Sequence, residues 1–447
     1  MKSVVNKAAL PETVFPFRMK LPIKASLCRR ILFSRLPMFR ANPTPHLRQS
    51  GIGRAGGGRL GRFFFLSMAA GMILTGCGRK QTTAGPGVTV SWHTHDWPMT
   101  RGGGSLQGRV HDRVPHKVAI AWTFAVKGAI TSEAAIADGV AVFGDDQGWV
   151  HAVDLSGKKE LWRVETKDNV EATPAIASGR VFVGSNDDFF RALDFKTGRE
   201  LWQVKGEEKF PTGAVVIASP DGKEEWVLVN GYDGVTRCLR TRDGSEVWKH
   251  ETTDYINGTP VILDNGTVAF GGCDAVIHVI GLKDGVELHQ QKTSAQVIRS
   301  LAAWEGTVYA VDYANELLAT GTSDDKSVWV YDNGDNQFLT SPAVDEKRVY
   351  VGSRDKHLHA VDRLTGKPLW KFRTGGRVES SPLVFDDAVV FGSGDGRLYA
   401  VSKEDGQEIW RLDLGEGLPN AAAFADGRIV IGGVDGTLFV IREEEGK

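Results

Sequence analysis

Apolar and polar positions alternate in short runs along most of the chain, and turn-forming residues separate the runs. Residues 343–370 read AVDEKRVYVGSRDKHLHAVDRLTGKPLW, and residues 175–202 read AIASGRVFVGSNDDFFRALDFKTGRELW. Each stretch holds three alternating runs split by clusters such as Ser-Gly, Asn-Asp and Thr-Gly, and a fourth run begins at the tryptophan. A period of two built from Val, Phe, Tyr and Trp predicts short antiparallel strands. No stretch of comparable length carries a helical stripe.

The pattern recurs at fixed spacing. Trp122, Trp162, Trp202, Trp248, Trp329, Trp370 and Trp410 follow one another at steps of 40, 40, 46, 81, 41 and 40, and His289 in VELHQQ fills the middle of the double step. Seven of the 12 tryptophans therefore lie on one lattice, which makes the lattice the organising unit of the chain. Four strands in about 40 residues is the size of one propeller blade. Seven units end on a lattice residue, and NAAAFADGRIVIGGVDGTLFVIRE (420–443) supplies three more strands and stops. KVAIAWTFAVKG (117–128), at the other end, reads as the missing fourth. The predicted fold is all-β: an eight-bladed β-propeller of four-stranded antiparallel blades over 117–443, closed by the N-terminal strand completing the last blade. Closure leaves no gap in the circular array.

The residues before the repeat read as an address. Residues 63–75 form a 13-residue apolar run, with Arg54, Arg59 and Arg62 before it and small residues after it. That is too short for a spanning helix of about 20 residues, and it has the three-part layout of a secretory signal. Leu74-Thr75-Gly76-Cys77 resembles the lipobox of bacterial lipoproteins. The resemblance implies cleavage before Cys77 and lipid attachment to its sulfur, and Gly78 rather than Asp after it implies the outer membrane. The expected layout is a leader and signal peptide over 1–76, with an internal start such as Met38, then a lipidated tether and lead-in over 77–116, then the propeller.

Charge narrows the partners. The formal net charge of -1 conceals a leader with 13 basic residues and one acid, followed by 41 basic and 54 acidic side chains. An acidic body repels phosphate backbones, so nucleic-acid binding is excluded. Four cysteines in 447 residues exclude a small disulfide-stapled domain.

The residues around the lattice carry a resemblance. Ala360-x-Asp362-x-x-Thr365-Gly366-Lys367-x-x-Trp370 resembles the tryptophan-docking motif of quinoprotein dehydrogenase propellers, and Ala192, Asp194, Gly198 and Trp202 repeat it in full. Elsewhere it is degraded, with Gly157 one place early before Trp162. The small residue admits the neighbouring blade, Asp and Gly shape the hairpin, and the indole wedges between blades, burying on the order of 200 Å². Such a motif specifies assembly rather than chemistry.

Two families share it: dehydrogenases dependent on pyrroloquinoline quinone (PQQ), and the BamB lipoproteins of the outer-membrane barrel-assembly machinery. The large alcohol dehydrogenases carry adjacent cysteines under the cofactor and calcium ligands; here no two cysteines adjoin and no Cys-x-x-Cys-His occurs. A lipobox followed by eight lean blades resembles the BamB family. That resemblance implies a non-enzymatic, cofactor-free scaffold, lipid-anchored to the outer membrane and facing the periplasm, monomeric within a complex. Its partners would be the β-barrel assembly protein and outer-membrane protein clients. A PQQ- and calcium-binding oxidoreductase or quinone sensor is the rival reading, and a general protein- or polysaccharide-binding module is the third.

Candidate sites follow from the register. Polar segments before the innermost strands place Glu171, Arg299, Arg377 and Glu379 at one mouth of the central channel, as solvated groups or as a seat for an anion or quinone. Cys238 occupies the small motif position, and its pairing with Cys273 stays open. His93 and His95 in HTHDW stand in a polar linker, where solvation competes with metal binding. Asp332, Asn333, Asp335 and Asn336 read as a solvated turn. No nucleophile elbow, zinc motif or phosphate loop occurs in a supporting context.

Overall fold

The structure, a computed structural model, describes residues 96–323, 327–415 and 417–444. The leader, Cys77, His93 and His95 lie outside the described residues. Thirty-two strands, β1 to β32, form eight four-stranded antiparallel sheets, and a short 3-10 turn spans Thr100–Gly102. In the first blade β2 (Ala135–Ala137), β3 (Val140–Gly144), β4 (Trp149–Asp154) and β5 (Lys159–Glu165) follow one another outward. Blades two to seven repeat this order. The third strand is buried on both faces because a blade packs on either side of it, whereas the outermost alternates buried and exposed.

The eighth sheet has the order β1 (Val118–Ala125), β32 (Thr437–Glu443), β31 (Arg428–Gly432), β30 (Ala423–Ala425). Strand β1 pairs antiparallel with β32, Val118 opposite Glu443 and Ala125 opposite Thr437. The eight-bladed fold and its closure by the N-terminal strand are thus as the repeat predicts.

Blades meet at the tryptophan lattice. The indole N–H donates to a backbone carbonyl of the next blade: Trp162 to Phe195 at 2.8 Å, Trp202 to Thr241 at 3.0 Å, Trp248 to Leu282 at 2.9 Å, Trp329 to Arg363 at 2.8 Å and Trp370 to Lys403 at 3.1 Å. Beneath each ring lies the hairpin glycine of that next blade. Gly198 and Gly366 have φ of 72° and 67°, and a Cβ on either would stand 2.8 or 2.6 Å from the indole of Trp162 or Trp329. Glycine is needed there twice over, for backbone conformation and for contact. Asp194 and Asp362 hold the same hairpins, each accepting from the hydroxyl and the N–H of Thr197 or Thr365. Those hydrogen bonds, the threonine hydroxyl first, hold both carboxyls below their ordinary range.

The small motif residue is the cross-strand neighbour of its own blade's tryptophan: Ala192 faces Trp202, Ala360 faces Trp370 and Cys238 faces Trp248, each beside a bulge. Cys238 is buried there, burial pushes its thiol up, and both it and Cys273 are free. With Gly157 one place early, Lys158 takes the left-handed conformation at φ 53°. At the closure the chain supplies a substitute for a hairpin, since Trp410 donates to the carbonyl of Pro115 at 2.7 Å. Trp122, half-buried in β1, pairs with Val440.

Two glycine substitutions separate the roles of conformation and contact. Gly139 has φ 71° but nothing within 4 Å of the place a methyl would take, so Gly139→Ala should lose about 1 kcal/mol in urea unfolding. Gly366→Ala should lose about 2–4 kcal/mol, because the methyl also collides with Trp329. Equal losses would show that the indole contact contributes nothing.

Candidate functional site

Residues 96–116, grouped with the tether by sequence, are threaded through the propeller. Their carbonyls accept from N–H groups of innermost strands in turn: Trp97 from Ile136 at 2.7 Å, Pro98 from Ile176 at 2.7 Å, Gly104 from Ile262 at 2.8 Å, Ser105 from Ala303 at 3.0 Å, Gln107 from Val344 at 3.1 Å and Gly108 from Val384 at 2.7 Å. These strands belong to blades one, two, four, five, six and seven. Met99 and Leu106 are fully buried among the inner strands, and Val110 and Val114 are buried further along. These inner-edge N–H groups, which have no further strand to pair with on the channel side, are satisfied this way.

The lead-in also lines a chamber of about 190 Å³ at the starts of the innermost strands. Thr100 and Arg101 contribute from the lead-in, and hydroxyls and amides such as Thr131, Thr173, Thr212, Thr259, Ser341 and Asn420 contribute from the blades. Glu171, Arg299 and Glu379 are brought together around it. Arg377 is not; it is exposed and outside the lining, and its backbone carbonyl accepts from Gly394 at 2.8 Å. Both residues lie in the loop before the innermost strand Leu383–Val384, on either side of buried Val378; Glu379 reaches the chamber wall, whereas Arg377 stays exposed outside it.

Glu171 accepts from the side-chain amides of Asn169 at 3.1 Å and Asn186 at 2.9 Å. The Arg299 guanidinium donates to the carbonyl of Leu339 at 2.8 Å. Burial pulls its pKa below the ordinary value, opposed by Tyr313, Glu379 and Glu171.

Sequence reasoning passes over two further lining residues. Arg101, with a left-handed φ of 56°, is 3% exposed, and its three guanidinium nitrogens have no hydrogen-bond partner among the described residues. Burial pulls it down to about 10, opposed by the charge of Glu133. Glu133 accepts from the Trp97 indole N–H at 2.6 Å and from the Arg101 backbone N–H at 3.2 and 3.3 Å. Burial pushes Glu133 up to about 7, against the pull of Arg101 and of those donors. An acid two residues before the innermost strand, in ITSEAAIA, was the available signal for Glu133. Nothing local marks Arg101, because its burial depends on where the lead-in travels.

The chamber is polar and rich in hydroxyls, with no histidine, cysteine or lysine among its described lining residues. Among the described residues, the grouping of three imidazole, thiol or carboxylate ligands lies elsewhere.

The raised Glu133 pKa sets a pH dependence. Between pH 4.5 and about 7 the folded protein holds a proton on this carboxyl that the unfolded chain releases, so stability falls as pH rises through that window. The loss should total about 3 kcal/mol, present above pH 7 and absent below 4.5. Urea unfolding across this range should show the decline in the parent and a flatter profile in Glu133→Gln; identical profiles would rule out this carboxyl as the source.

Comparison with known proteins places this architecture. A family described as outer membrane protein assembly factor BamB matches residues 108–253, 232–343 and 334–447. A protein named outer membrane protein assembly factor BamB from Marinobacter adhaerens is 27% identical over 111 residues, a stretch spanning 25% of this chain and 28% of that relative. The crystal structure of BamB from Moraxella catarrhalis superposes with a TM-score of 0.61 at 19% identity, covering 73% of this chain and 99% of the other. Quinohemoprotein alcohol dehydrogenase from Comamonas testosteroni superposes at 0.64 with 13% identity, covering 79% and 82%. At these identities the solved structures show the shared propeller fold. Because the family match runs from the lead-in through all eight blades to the last residue, the chain belongs to the family of the outer membrane protein assembly factor BamB.

Proposed function

We propose that this protein is a BamB-type scaffold, held by a lipid on Cys77 at the periplasmic face of the outer membrane, where it supports assembly or insertion of outer-membrane β-barrel proteins. The carrying observation is the family match over 108–447, to which the lipobox-like Leu74-Thr75-Gly76-Cys77 adds an address. Its partners on this reading are the β-barrel assembly protein and unfolded barrel precursors, and the scaffold works without a cofactor. The rigid ring turns eight outermost strands toward solvent, and their free edges can pair with an extended segment by strand addition. Leu161 and Leu369, each just before a lattice tryptophan, are 42% and 48% exposed and give such a segment an apolar contact.

The quinoprotein reading shares the fold but asks the chamber for a calcium ion beside a quinone. Its acids suit that poorly. Both Glu133 oxygens and one of Glu171 already accept hydrogen bonds, and no three acidic or imidazole ligands gather there among the described residues.

Membrane fractionation and affinity purification test the proposal. The parent should sediment with outer membranes and retain the barrel-assembly protein, while Cys77→Ser should appear in the soluble periplasmic fraction. Membrane retention of Cys77→Ser, together with no barrel-assembly partner in either sample, would refute it. Purified protein given PQQ and calcium should show no dye-linked alcohol oxidation; turnover would establish the rival.

A further inference from the structure

The third position of the third strand is tied to a nearby carboxylate in several blades. Arg191 and Arg237 pair with Asp187 and Asp233 at 2.5 Å in blades two and three. In the first blade His151 bridges Asp145 at 3.1 Å and Glu160 at 2.8 Å. His359 in the sixth pairs with Asp355 at 2.9 Å and with the Tyr331 hydroxyl at 3.0 Å. This stitch fixes the turn between the second and third strands, and by itself it implies no ligand.

The fourth blade departs from the pattern. Its stitch is His278 in β16 (Val276–Gly281), with Nε2 against Asp274 at 2.8 Å and Nδ1 against Glu287 at 2.6 Å. A second imidazole reaches it from the neighbouring blade: His250 in β13 (Glu246–Glu251), two residues past the lattice tryptophan. The corresponding places elsewhere hold Phe124, Val164, Val204, Gln291, Tyr331, Phe372 and Leu412, so a nitrogen ligand from this position is particular to the seam between blades three and four. One ligand atom from each of His250, His278 and Glu287 lies within 4.8 Å of the other two, the one such grouping found among the described residues.

The surroundings orient these groups as a metal site requires. Asp274 accepts from Nε2 of His278 and Glu287 accepts from its Nδ1, so an ion entering between Nδ1 and Glu287 takes the place of that proton, and the Gly285 carbonyl engages Nδ1 of His250 at 3.1 Å, which assigns the lone pair to Nε2. A carboxylate or carbonyl behind each ligating imidazole is the usual support of a metal centre. His278 is further fixed by stacking on Phe270, with centroids 5.3 Å apart, and Phe270 also packs edge-on against His250. Ligands about 2.0–2.2 Å from zinc stand at most about 4.4 Å apart, so small side-chain rotations close the observed grouping. Two imidazoles and one carboxylate select zinc-class ions over magnesium or calcium and leave a fourth position for water.

We propose that His250, His278 and Glu287 bind a zinc-class divalent ion that clamps blade three to blade four, with Asp274 as a positioning residue. The whole protein, stripped with chelator, is titrated with Zn²⁺ by calorimetry and with Co²⁺ by visible absorption. One equivalent should bind, cobalt should give a tetrahedral spectrum, and zinc should raise Tm. His250→Gln should weaken binding at least tenfold and abolish the Tm rise, and Asp274→Asn should weaken it roughly 10–100-fold. His151→Gln, at the stitch of the first blade, and the paired His93→Ala and His95→Ala change should bind as the parent does. Should His250→Gln have a lowered Tm in chelator, Glu287→Gln reads the same ligand set from the other blade. Absence of saturable binding, parental affinity in both His250→Gln and Glu287→Gln, or loss of the signal on removing His93 and His95 would each overturn the assignment.

Discussion

Each blade of this ring is held by an indole resting on the hairpin glycine of the next, and the rest of the architecture depends on that contact. A four-stranded sheet with two apolar faces has no stable existence alone. Here both faces are covered because Trp162, Trp202, Trp248, Trp329 and Trp370 each seat on a neighbour and donate to its backbone. The seat exists only where the hairpin residue has positive φ and no Cβ, as at Gly198 and Gly366. Indole and glycine are thus two halves of one interaction, carried by successive repeats.

A ring of such contacts has to begin and end somewhere, and the lead-in resolves both. Strand β1 completes the last sheet, and Pro115, just before it, accepts the Trp410 indole where no hairpin is available. Upstream, the chain crosses the inner strands from the first blade to the seventh and satisfies their backbone donors. The same path puts Arg101 and Glu133 at the chamber, where desolvation works against both charges and draws their pKa values toward each other. A rigid ring with a polar chamber and outward strand edges suits a protein of the BamB family, whose proposed work is to hold other chains rather than transform them.

Much of this was legible in the chain. The 40-residue lattice gave blade number, strand count and the closing strand, and the Ala-Asp-Gly-Trp spacing identified the docking residues. The channel-facing positions of Glu171, Arg299 and Glu379 followed from the same register, while Arg377, two residues ahead of Glu379, fell outside the wall. Repeats make such inferences possible because each blade restates the same local constraints, so one position can be read eight times.

What escaped the sequence are contacts made once. Residues 97–116 have no periodicity, so nothing in them reports that they will line the channel or bury Arg101. His250 and His278 are 28 positions apart and meet only because adjacent blades stack face to face. Local pattern determines which segments become strands and how the strands group. Which side chains from different groups come to share one volume is decided by the closed ring, since that proximity depends on the packing angle between blades and on the course of an irregular segment, neither of which has a period to read.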